Sequence, residues 1–201
     1  MAMRVYFTNS VSADPVSEGN LTNPIFFQIN PDLDPDEEKT LFLANERATL
    51  ASDIDAGAVN VPLVEAGRFA DGDYLVIGQE IVKVLSGGGT TNLTVARAQT
   101  GSIAASHTNG DIVYSGYDYS DISVEYQDTE GTDESTWTRL VWAGGDLDLV
   151  EDGNAITAQD KAYNEVLEFR MRMTVPNTEP VHYKHDLVLR ATAVETQAIP
   201  Y

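Results

Sequence analysis

The chain has 201 residues, no cysteine, 12 lysines plus arginines and 32 aspartates plus glutamates, for a net charge of −20. This excludes a disulfide framework, a cysteine-ligated zinc or iron–sulfur centre and a thiol nucleophile. It also sets the surface against direct contact with the phosphate backbone of a nucleic acid.

Hydrophobic residues are 42% of the sequence, enough to bury a core and too many for a disordered chain. No apolar run approaches the roughly 18 residues of a membrane span. Residues Met1 to Phe7 lack the apolar stretch of a signal peptide, so neither a span nor a leader is expected. Acidic residues run from Asp14 to Glu195 rather than forming a tail, and the 4 lysines are fewer than the 8 arginines. Self-repulsion on this scale costs stability in dilute buffer, and molar salt, with a screening length of about 3 Å, removes most of that cost. The composition fits a protein that works in high salt; an acidic extracellular or marine protein is the alternative.

Strand signals dominate in chain order. Arg4–Thr8, Pro24–Ile29 and Lys39–Asn45 are β-rich runs bounded by turn residues. Between the last two, Asn30–Glu38 carries two prolines and five carboxylates and reads as an exposed loop. A short turn is expected at Thr49–Asp53. From about Ala48 to Tyr114 the strands shorten and glycine becomes denser. Val59–Val64, Tyr74–Ile77, Glu80–Leu85, Asn92–Arg97 and Asp111–Tyr114 are strands, and Ser86–Thr90 is a flexible hairpin loop. After Ser115 the strands lengthen. Asp121–Tyr126 places Ile122, Val124 and Tyr126 on one face, and Trp137–Trp142 has a similar period. In Leu167–Val175 the apolar residues alternate with Glu168, Arg170, Arg172 and Thr174, as in a half-buried antiparallel strand. Leu187–Val194 ends the pattern. A single helix is expected, at Ala158–Asn164.

Strands about every ten residues point to an all-β sandwich or small barrel. The simplest assembly joins 1–47 and 115–201 into one antiparallel β-sandwich, with 48–114 as a small β-domain inserted in a loop.

Candidate chemistry is thin. His182 and His185 are three apart, which on a strand points them to opposite faces. Asp32, Asp34 and Asp36 alternate in a way that suits oxygen ligation of Ca²⁺ or another cation. They lack the central glycine and terminal glutamate of an EF-hand, and a solvated acidic loop is the other reading. Asp71 with Asp73, and Asp118 with Asp121, are treated the same way. There is no nucleophile elbow and no phosphate loop. Asn20–Thr22 and Asn92–Thr94 fit the glycosylation sequon. Trp137 and Trp142, five apart, would face opposite sides of a regular strand, one in the core and one exposed. Tyr117 and Tyr119 read as edge or linker residues able to stack on a sugar.

The segments Ile77–Val84 (Gly78, Glu80, Ile81, Lys83), Leu93–Gly101 (Val95, Arg97, Gly101) and Ala104–Tyr114 (His107, Gly110) form a recognisable set. They resemble a small β-domain recurrent in virion proteins of tailed viruses, often in tail and baseplate parts. That pattern runs Gly-x-Glu-Ile-hydrophobic-Lys-Val, then Val-x-Arg-Gly-x-x-Gly-Thr, then Ala-x-x-His-x-x-Gly. This chain departs from it at Ala98, where glycine is usual, and at Ser102, where threonine is usual. Residues Asn23–Ile25, Leu41–Asn45, Val175–Thr178 and Arg190–Glu195 resemble sandwich proteins of phage structural gene clusters and imply an immunoglobulin-like host sandwich.

The resemblance implies a non-enzymatic virion component of a virus of salt-loving archaea. It would sit in the tail or baseplate, or alternatively serve as a capsid decoration, turret or neck protein. It carries no catalytic residues and no cofactor. Its partners would be other virion proteins and further copies of itself, with the host surface as a possible target; a host-glycan-binding module is the competing reading, and a carboxylate-pair hydrolase a third. Docking of this kind rests on buried aromatic and arginine anchors. The interface candidates are Trp142, Tyr117, Tyr119 and Tyr201. Within the motif, Glu80 and Lys83 lie on opposite faces of one strand and either can pair with Arg97 across the hairpin. Gly101 and Gly110 are expected at positive φ, and His107 is expected to hydrogen-bond backbone.

Overall fold

The computed structural model describes residues 2–17, 22–130, 133–179 and 187–199. Among them the strands are, in chain order, β1 (Met3–Tyr6), β2 (Asp36–Asn45), β3 (Arg47–Thr49), β4 (Asn60–Pro62), β5 (Tyr74–Ile77), β6 (Glu80–Ser86), β7 (Asn92–Ala96), β8 (Ile112–Ser115), β9 (Tyr117–Asp128), β10 (Thr138–Trp142), β11 (Ile156–Lys161), β12 (Val166–Thr174) and β13 (Leu187–Gln197). The fold is all-β and antiparallel. No described helix is long and apolar enough to cross a membrane.

Three sheets divide these strands. One has the order β1-β2-β12-β10 and a second β11-β9-β13; the third, β3-β8-β5-β6-β7-β4, takes all the strands between Arg47 and Ser115. The first two share one core. Met3, Leu41, Leu43, Leu140, Phe169 and Met171 come from the four-stranded sheet, and Tyr119, Ile122, Val124, Tyr126 and Ile156 from the three-stranded one. The six-stranded sheet curls around a core of its own, including Leu50, Val61, Leu75, Ile77, Val82, Leu93, Val95 and Val113. Leu50 bridges to Leu63, bringing the chain beyond β3 to the chain beyond β4 and drawing the two edges together. Burying each such side chain contributes about 1.5–3 kcal/mol.

The period-2 pattern explains most of this. In β12, Phe169, Met171 and Met173 are buried and the residues between them are not. In β9 the pattern shifts once. Asp121 has a φ of 51°, and the pairing of β9 with β13 slips between Thr192 and Val194. This bulge lets Tyr119 before it and Ile122, Val124 and Tyr126 after it all reach one core.

Several expectations are corrected. Ala158–Asn164 is not a helix: Ile156–Lys161 is β11, paired with β9 along its length. Its Ala, Gln and Lys residues are good helix formers, but such propensity is a weak prior, and pairing with β9 along its length, with Ile156 buried, overrides it. The acidic loop is shorter than expected, because β2 begins at Asp36. Glu38 lies directly opposite Arg172 and receives its Nε (2.9 Å) and Nη2 (2.6 Å), so charge pairing extends the strand. Pro24–Ile29 forms no ladder, although Ile25 and Phe27 pack on the core and Phe26 is exposed. The turn expected at Thr49–Asp53 is not formed there: Thr49 ends β3, Leu50 and Ile54 are bridged to Leu63 and His107, and the turn falls at Ala56 and Gly57. Trp137 falls in a short 3₁₀ turn, Glu134–Trp137, so the alternation starts only at Thr138. The glycine loop Ser86–Thr90 is closely packed: a Cβ on Gly88 would lie 2.5 Å from the Asp71 nitrogen, and one on Gly87 2.3 Å from the Asn92 oxygen. Gly88 N donates to Asp71 Oδ1 and Gly89 N to the Phe69 carbonyl, which ties the loop down.

Candidate functional site

The motif residues converge on a single carboxylate. The β5–β6 connection turns at Gly78, with a φ of 59°, and sets Glu80 at the start of β6 with its side chain fully buried. Arg97, just past β7, donates from Nε to Oε1 (2.7 Å) and from Nη2 to Oε2 (2.6 Å). His107 Nε2 lies 2.9 Å from Oε2, and the Ala98 and Ala105 backbone N–H groups complete the set at 3.1 and 3.0 Å. The rest of the guanidinium donates to the carbonyls of Asp55, Ala58 and Ala105. His107 also exchanges backbone hydrogen bonds with Ile54.

Burial by itself pushes the Glu80 carboxyl up; hydrogen bonds from Arg97, His107, Ala105 and Ala98 outweigh it and bring the group down to about 2. A carboxylate this saturated is a strut between four chain segments, with no lone pair left for acid–base work. Arg97 is therefore the partner of Glu80, as one of the two expected pairings had it. The His107 ring binds this carboxylate instead of backbone. Gly101 and Gly110 do have positive φ, 86° and 93°. Ala98 has a φ of 51°, a left-handed conformation that explains why glycine suits the position. Ser102 keeps the hydroxyl role: its Oγ accepts from the Ile81 N–H at 2.9 Å and donates to the Gln99 carbonyl at 2.8 Å.

The other sequence-derived candidates do not meet. Asp32, Asp34 and Asp36 are exposed, and the described residues hold no group of three or more metal-ligating side chains. Asp71, Asp73 and Asp118 each accept a backbone N–H, from Gly88, Ala70 and Tyr163. Tyr119 is 2% exposed; it belongs to the core and not to an edge, because the β9 bulge turns it inward. Its hydroxyl donates to Glu195 Oε2 (2.8 Å) and accepts from Ala2 N (3.1 Å). Trp142 is half-buried, edge-on to Phe169, with its indole N–H donated to the Thr157 carbonyl. Trp137 is half-buried as well, so neither tryptophan is the fully exposed member of the expected pair. His182, His185 and Tyr201 lie outside the described residues, as does most of the Asn20–Thr22 sequon.

No protein-family model matches the chain, and neither does any curated protein or solved structure.

A second constellation lies where the chain passes between the two bodies, at Asn45–Arg47 and Ser115–Tyr117. Asn45 is buried and donates to the carbonyls of Ser115 and Tyr117 (2.9 and 2.7 Å), while its Oδ1 accepts from Lys161 Nζ at 2.6 Å. Burial pulls Lys161 down to about 8 against the opposing pull of Glu165 and Asp118. Arg47 reaches back to Asn9 Oδ1, and Arg68 to the Ala13 carbonyl and Asp14. Beside this joint a cleft of about 610 Å³ is lined by Arg4, Glu46, Arg68, Asp73, Tyr117 and Glu195 among others. Arg4 donates to Glu46 at 3.1 Å. Burial raises the Glu46 carboxyl, and Arg4 partly offsets the effect. Both signs of charge line the cleft: Arg4 pairs with Glu46 inside it, whereas Arg68 reaches out to Asp14 and Glu195 accepts from Tyr119. Sequence reading missed Asn45 and Lys161, since an isolated Asn and Lys carry no signal of burial. Tyr117, one of the interface candidates, lines this cleft.

Proposed function

We propose that the chain is a non-enzymatic structural subunit of a tailed-virus particle, placed in the tail or baseplate and acting by protein–protein docking. In this reading the outer strands form an immunoglobulin-like sandwich and residues 48–114 its inserted domain. The observation that carries the reading is the convergence of Glu80, Arg97 and His107. These are the residues on which the resemblance to a virion β-domain rests, and their meeting in one buried clasp is what a fold-defining motif requires. The charge balance supports a high-salt setting: among the described residues Arg4, Arg97, Arg139 and Arg172 each bind a carboxylate inside the chain, and the 32 carboxylates against 12 lysines and arginines leave the surface strongly acidic. That surface also disfavours direct contact with packaged nucleic acid.

The test is immunogold labelling of purified particles that carry this chain, with an antibody to the inserted segment. Label on tails or baseplates is expected. Label on shell, vertex or neck would replace this placement by the capsid-decoration, turret or neck alternative. Absence from particles whose other structural proteins are readily detected would overturn the virion reading.

A further inference from the structure

Sheet edges expose unpaired backbone groups, and proteins normally cover, bend or charge them. Five of the six sheet edges among the described residues are managed. β1 is covered on its outer side, where Val16 N donates to the Val5 carbonyl and Tyr6 bridges to Pro15. β10 and β11 face each other: Asn154 exchanges hydrogen bonds with both backbone groups of Leu140, and the Trp142 indole reaches Thr157. The six-stranded sheet is drawn closed at Leu50–Leu63.

β13 is different. It is 11 residues long and pairs with β9 on one side; among the described residues no strand pairs with the other side. From Leu187 to Val194 it contains no carboxylate, in a chain with 32, and its one charge there is Arg190. Val188 and Val194 are 47% and 51% exposed on its outer face.

We infer that β13 is an interface for a second copy of this chain, joined antiparallel to its own β13 about a two-fold axis at Ala191. Residues directly opposite then share a face. Val188 meets the second copy's Val194, Leu189 meets Ala193 and Arg190 meets Thr192. The apolar pairs coincide and the two arginines do not oppose each other. This edge is also where two chains of charge −20 can touch without placing carboxylate against carboxylate, which is what favours a second copy over an acidic partner. The three-stranded sheets would merge into one of six strands, in an isologous dimer. The inference rests on the protein–protein docking of the proposed function and names one partner for it, a second copy of the chain. It is read on the isolated chain, so its failure would leave the particle-labelling result standing.

The test is sedimentation equilibrium over micromolar to millimolar concentrations, in dilute buffer and in molar salt. Hydrogen exchange at residues 187–195 is followed in the same samples. The wild type is expected to form a dimer that tightens with salt, with protection of 187–195 rising alongside the dimer fraction. The double variant Val188→Glu and Val194→Glu places like charges opposite each other and is expected to weaken the dimer at least tenfold. The variant Val59→Glu and Val64→Glu adds the same charge on valines that are 52% and 58% exposed elsewhere, and is expected to dimerise like the wild type. Circular dichroism checks that both variants are folded. A monomer at every concentration and salt would overturn the inference, and so would equal dimerisation of the edge variant or a dimer without protection at 187–195.

Discussion

The two bodies of this chain are closed by different physics. The body of β1, β2 and β9–β13 is held by a two-layer apolar core to which both sheets contribute, and its ionic contacts lie at the rim. The curled six-stranded body has an apolar core too, but its loops are gathered by one buried carboxylate. Glu80 receives donors from Arg97, Ala98, Ala105 and His107, and Arg97 in turn holds the carbonyls of Asp55 and Ala58. A small body with short strands has little apolar area per residue to fix its loops. A single anion surrounded by directional donors fixes several of them at once. One substitution can therefore undo the smaller body, whereas the larger should lose stability only in increments.

The largest expected effect is therefore Glu80→Ala. It leaves a guanidinium and several N–H groups buried without their acceptor, a class of change that costs about 3–5 kcal/mol. Urea denaturation followed by hydrogen exchange should show the loss concentrated in residues 47–115, with the Phe169 and Met171 core still protected. Equal loss in both bodies would show that they unfold as one unit and break the comparison.

The same carboxylate sets an acid limit. Unfolded, Glu80 protonates near 4.5; folded, near 2. Its contribution is complete above 4.5 and drains away as pH falls toward 2, by about 3 kcal/mol in total. Stability curves taken in molar salt, which quietens the surface carboxylates, should show this decline in the wild type and a shallower one in Glu80→Gln.

The joint between the bodies has the opposite polarity. Lys161 is 1% exposed and its ammonium is pulled from 10.5 to about 8 by burial. Between those values the unfolded lysine keeps its proton and the folded one has lost it. The unfolded state then binds more protons, and stability rises with pH. Denaturation between pH 8 and 10 should show a gain of about 2 kcal/mol, absent in Lys161→Met. A flat wild-type curve would mean that the Asn45 contact carries a fully charged ammonium.

These features differ in how far the sequence announces them. Alternation in Leu167–Val175 and Asp121–Tyr126 marks β12 and the second half of β9, because each strand buries one face. Glu80, Arg97 and His107 stand out through a motif, so their meeting was half legible: the Glu80–Arg97 pairing follows from the hairpin, the His107 contact does not. What escaped is non-local. β11 reads as helix because its residues have only local propensities to show, while the ladder to β9 that decides the matter comes from more than thirty residues away. Tyr119 reads as surface because the bulge at Asp121 is invisible in a sequence where aspartate is common. Asn45 and Lys161 acquire their roles only when residues 116 apart meet.

The smallest expected effect is stabilising. Ala98 and Thr100 sit at φ values of 51° and 52°, around the turn that delivers the Ala98 N–H to Glu80. A left-handed residue with a Cβ costs about 1–2 kcal/mol relative to an unstrained one. Glycine removes that strain but adds freedom to the unfolded chain, which returns part of the gain. Ala98→Gly should therefore stabilise the smaller body by about 0.5–1 kcal/mol, read as a higher urea midpoint with unchanged slope. The gain should vanish in the Glu80→Ala background if the strain exists to aim that N–H at the carboxylate, since without its target the turn is free to relax. An undiminished gain in the double variant would separate the turn from the clasp and make the left-handed Ala98 a property of the loop alone.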